Sequence, residues 1–79
     1  MATRHARFML DTLAPDLRRS GANETAKDVT TCARFMLAGK KNRSYAKWLK
    51  STLIPDLRAS GRKSTARDLA KCARAIGGR

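Results

Sequence analysis

Arg67, Lys71 and Arg74 are spaced four and then three residues apart near the end of the chain. On an α-helix that spacing places them on one stripe. A row of fixed cations is suited to binding phosphate. Arg62 and Lys63 precede the same segment, where a helix start would add free N–H groups and the positive end of its dipole. Asp68 competes for that first turn. Lys40, Lys41 and Arg43 form a further basic cluster near the middle of the chain. These eight residues are the candidate nucleic-acid contacts. Base reading uses Arg, Asn or Gln at groove edges, and the last helix holds no Asn or Gln. Phosphate contact and shape are therefore expected to outweigh sequence readout.

Other chemistry is poorly supplied. His5 is the only histidine, and with Cys32 and Cys72 it falls short of a four-ligand zinc site. The chain contains no phosphate-binding glycine loop, dinucleotide fingerprint or nucleophile elbow. Asp16, Asp56, Asp28 and Asp68 each have a place as turn or capping residues. No enzyme activity, cofactor or metal is expected.

The elements that carry these residues are written twice. Leu13-Ala14-Pro15-Asp16-Leu17-Arg18-Arg19-Ser20-Gly21 returns forty residues later as Leu53-Ile54-Pro55-Asp56-Leu57-Arg58-Ala59-Ser60-Gly61. Thr25-x-x-Asp28 returns as Thr65-x-x-Asp68, and Cys32-Ala33-Arg34 as Cys72-Ala73-Arg74. Apolar spacing is helical throughout. Ala6, Met9, Leu10, Leu13 and Leu17 share a stripe, as do Ala46, Leu49, Leu53 and Leu57. Thr3 and Ser44 are read as N-caps of the first helices, and the Thr-x-x-Asp pairs as capping boxes of the second. Pro15 and Pro55 imply a kink or a helix followed by one further turn. Ser-Gly then stops each segment, and Gly39 and Gly77 end the second helices.

The expected fold is all-α. Tandem duplicated helical hairpins, residues 1–39 and 40–79, pack as a small four-helix domain with one core and pseudo-two-fold symmetry. A unit of about 40 residues rarely folds alone without metal or disulfides, so the copies should pack on each other. Cys32 and Cys72, at matching positions, are expected to be buried and reduced, with a bridge across the pseudo-two-fold axis as the alternative.

The copies differ mainly in charge. Residues 1–39 carry six bases and four acids, or +2, while residues 40–79 carry twelve and two, or +10. Asn23 is answered by Lys63, Thr31 by Lys71 and Glu24 by Ser64. A field of this sign attracts polyanions.

The aromatic residues are few. Trp48 and Phe35 are candidates for base stacking or partner contact. Phe35 and Leu37 give the first copy's second helix apolar groups on more than one face, which suits contact with a protein or a second copy. No apolar run is long enough to span a membrane, no leader is recognisable, and a cytoplasmic protein is expected. The functional expectation is a basic nucleic-acid-binding protein, with double-stranded DNA favoured over RNA. The alternative is an accessory protein that docks on an acidic protein. Membrane is not an expected partner.

Overall fold

The structure, a computed structural model, describes residues 2–77. Arg79, counted among the bases above, lies outside the described residues. All regular structure among the described residues is helical. In chain order these are α1 (Ala2–Phe8), a π-helical turn (Met9–Leu13), α2 (Ala14–Arg19), α3 (Asn23–Ala38), α4 (Arg43–Trp48), a second π-helical turn (Leu49–Leu53), α5 (Ile54–Ala59) and α6 (Lys63–Ile76). Each π turn joins its neighbours without a break, so the chain forms four helical rods.

The prolines explain the π turns. A proline ring inside a helix clashes with the carbonyl four residues back and donates no hydrogen bond. One residue before Pro15, the Ala14 N–H reaches back five residues to the Met9 carbonyl; before Pro55, Ile54 does the same to Leu49. Widening the helix by one residue at that point accommodates the ring and leaves the helix unbroken. It also resets the helical phase. Met9 and Ala14, five apart, are both buried, as are Leu49 and Ile54, while Leu10, Leu13 and Leu53 are only half-buried.

Each rod then turns through a glycine. The Ala22 N–H donates to the Leu17 carbonyl at 2.8 Å and Gly21 to Arg18 at 3.1 Å; Arg62 to Leu57 and Gly61 to Arg58 repeat both distances. These paired bonds close a helix C-terminus around a left-handed residue. Gly21 and Gly61 take that role at φ +88° and +86°. Gly77, by contrast, stays right-handed at φ −79°.

Three capping expectations are corrected. The tight turn feeds straight into the next helix, so α3 and α6 begin at Asn23 and Lys63, with Ala22 and Arg62 in the cap position and no side-chain cap. Thr25 and Asp28, like Thr65 and Asp68, lie within the helix and form no capping box. Thr3 lies inside α1. Ser44 is the second residue of α4, whose cap is Asn42: its side-chain oxygen accepts the Tyr45 N–H at 3.0 Å.

The core is one cluster drawn from both halves of the chain, with Met9, Leu49, Leu69, Ile76 and Val29 its largest fully buried members. Burying each is worth about 1.5–3 kcal/mol. Ala33, Ala73 and the two cysteines are fully buried, and α3 and α6 pack on each other. The cysteines are not reduced as expected. The Cα atoms of Cys32 and Cys72 are 6.3 Å apart, and a disulfide joins α3 to α6. That separation is within the range a disulfide spans.

Candidate nucleic-acid interface

The Schellman-type turn at Ser60-Gly61 folds the end of α5 against the start of α6, and an open groove of about 520 Å³ forms beside them. Arg58, Lys63, Arg67, Lys71 and Arg74 line it, with Ala70 as the one uncharged residue. All five cations are exposed. Among the described residues none of them forms an ion pair with a carboxylate; the one pair present is Arg19 with Asp16. At 1.5 Å per residue, Lys63 to Arg74 is about 16 Å of cationic edge. One DNA strand spaces its phosphates about 3.4 Å apart along the axis, so that edge is as long as four or five such steps. Ala70 leaves room for a backbone to approach the helix closely.

Four of the eight sequence candidates, Lys63, Arg67, Lys71 and Arg74, meet in this groove. Arg58 joins them and was missed, because its match with Arg18 assigned it to the repeated scaffold. Its position just before the Ser-Gly turn was the available signal. Arg62 is half-buried at the cap position of α6 and does not line the groove. Lys41 is engaged at the opposite end of α6, donating from Nζ to the Ala75 carbonyl at 2.9 Å. There it satisfies a helix C-terminus. Lys40 lines a separate hollow with Thr31, Arg34, Phe35 and Ala38, and Arg43 is exposed at the first position of α4.

Comparison with known proteins yields no match. No family model, curated protein or solved structure matches the chain.

Trp48 and Phe35 are brought together by a residue between them. Tyr45 stacks on Trp48 with ring centroids 5.7 Å apart and meets Phe35 at 6.1 Å in a tilted arrangement. Phe35 is half-buried, whereas Trp48 remains 40 % exposed. The ladder borders the linker and does not line the cationic groove. The Tyr45 hydroxyl donates to the Asp28 carboxylate at 3.0 Å. Burial pushes the Asp28 carboxyl above its usual value, outweighing the hydrogen bond from Tyr45. Burial, and then the bond to Asp28, pushes the Tyr45 phenol well above its usual range.

The His5 Nε2 lies 3.2 Å from the Asp68 carbonyl. Among the described residues no cluster of His, Cys, Asp or Glu could hold a metal ion, and no helix is long and apolar enough to cross a membrane.

Proposed function

We propose that this chain is a non-enzymatic DNA-binding protein whose second hairpin grips the phosphate backbone of a duplex with little sequence reading. The groove along α5 and α6, whose five cations have no carboxylate partner among the described residues, carries this reading. Its lining has no Asn or Gln to read adenine, and its length suits a run of phosphates. Duplex DNA is favoured over RNA because the deep, narrow major groove of A-form RNA excludes a helix. The scaffold is proposed to be a duplicated hairpin with a pseudo-two-fold axis between the copies. Matching π turns, matching glycine turns and the contact of His5 with Asp68 alongside that of Tyr45 with Asp28 support it. A cytoplasmic setting is part of the proposal. Disulfides are rare there, but Cys32 and Cys72 are fully buried and out of reach of thiols while the core is closed.

The test is a mobility shift with a short duplex, comparing the native chain with the double reversal Arg67→Glu, Lys71→Glu. Two charge-assisted contacts at roughly 1.5 kcal/mol each predict an affinity loss on the order of 100-fold. An unchanged affinity removes α6 from the contact surface.

A second reading, docking on an acidic protein, is favoured by the exposed apolar side chains Phe8, Leu37 and Trp48. Apolar anchors with a charged rim are typical of protein interfaces. Absence of duplex binding at low salt selects this reading.

A further inference from the structure

The cationic groove lies on one side of the molecule, and the disulfide shows what lies on the other. Cys32 and Cys72 join α3 to α6, so these two positions face each other across the core. At about 100° per residue, Arg67 and Arg74 lie about 140° and 160° around α6 from Cys72. Lys27 and Arg34 stand at the same angles on α3 from Cys32. All four are exposed. A residue far round each helix from a shared facing point is turned away from the other helix, so the two basic stripes look outward in opposed directions. Arg18, exposed at the end of α2, stands in the chain where Arg58 stands in the second copy. The first hairpin thus keeps three of the five cations of the groove.

We propose that Arg18, Lys27 and Arg34 form a second, weaker phosphate-binding face, and that one molecule bridges two DNA duplexes. This rests on the reading of the α6 groove as a duplex-binding site. Charge complementarity to phosphate sets the occupant. Weakness follows from Asn23 and Thr31 standing where the groove has Lys63 and Lys71, and from Glu24 one turn before Lys27. The molecule extends 30 by 26 by 17 Å, so two duplexes held on opposed faces are separated by one protein body. With fewer phosphates engaged on the weaker face, bridging is lost at lower salt than binding itself.

The experiment uses two populations of a short duplex, one with a donor and one with an acceptor fluorophore, mixed with less than one protein per duplex. Single-duplex binding is read in parallel by mobility shift, and the protein's own mass by sedimentation. The native chain is expected to be monomeric, to bind the duplex, and to produce energy transfer that salt removes before it removes the shift. Lys27→Glu with Arg34→Glu is expected to abolish the transfer while leaving single-duplex affinity within about two-fold, as for distant independent sites. Duplex binding without transfer in the native chain overturns bridging but leaves the groove standing. Transfer that persists in the variant also overturns it, and assigns bridging to self-association. Absence of any duplex binding by the native chain overturns the groove reading and the bridging together.

Discussion

The Tyr45 hydroxyl donates to the Asp28 carboxylate at 3.0 Å, tying α4 to α3. Forty residues earlier in the sequence, the position of Tyr45 is held by His5, whose ring nitrogen approaches the Asp68 carbonyl from α1 to α6. Each of these two side chains therefore reaches a helix in the other half of the chain. The polar ties supplement one shared core and the disulfide that joins α3 to α6.

Tyr45 is the only tyrosine, so the phenolate band reports on it alone. Its phenol is expected to titrate well above the ordinary value of 10.0 in the folded protein and near that value in urea. Because the folded value is raised, stability linked to Tyr45 is present below pH 10 and is lost as the pH rises above it. Asp28→Asn removes the neighbouring charge and should bring the folded midpoint part of the way down. An unshifted native midpoint contradicts the Tyr45–Asp28 contact.

Asp28 gives a second pH signature at the acid end. Its folded carboxyl is raised from 3.8 by burial. The stability it contributes is present below that value and is lost as the pH rises through the folded value. Subtracting Asp28→Asn urea midpoints from native ones between pH 3 and pH 7 should isolate a difference that favours the variant as pH increases. A difference that does not change with pH contradicts the burial of this carboxylate.

The disulfide closes a loop of sequence separation 40. Chain-entropy arguments give about 4 kcal/mol for a loop of that length, a large share of the few kcal/mol that stabilise a domain of this size. Cys32→Ala with Cys72→Ala is expected to lower Tm by roughly 15–30 °C. Thermal melts of the variant, and of the native chain with and without a strong reductant, measure it. Equal melting of all three contradicts the bridge.

What the sequence made legible follows from how local each signal was. The rods, the Ser-Gly turns and the basic stripe of α6 depend on helical period and on glycine, and the spacing of Arg67, Lys71 and Arg74 sufficed to place them together. Features set by tertiary context were not legible. Thr25 and Thr65 resemble N-caps in isolation, but the preceding turn starts each helix at Asn23 and Lys63. Pro15 and Pro55 suggested a kink or a division of the helix; the helix is undivided, and a π turn precedes each proline. The meeting of Cys32 with Cys72 depends on how closely α3 and α6 approach, which no single copy encodes. Arg58 reaches the groove only because the turn folds α5 beside α6.

Gly61 tests the turn that builds the groove. At φ +86° it holds a conformation that costs other residues about 1–2 kcal/mol. Gly61→Ala meets open space, so backbone strain is its sole penalty. It should destabilise by about that amount in urea melts and weaken duplex binding only as far as Arg58 and Lys63 lose their mutual placement. A neutral effect on stability contradicts the left-handed turn.

The central claim, that five cations along α5 and α6 grip phosphate, is tested most directly by the salt dependence of duplex affinity. With about 0.9 counterion released per phosphate contacted, log affinity should fall against log salt with a slope of about −4.5 for the native chain and about −3 for Arg67→Glu with Lys71→Glu. A slope near zero, or one that the double reversal leaves unchanged, contradicts the account.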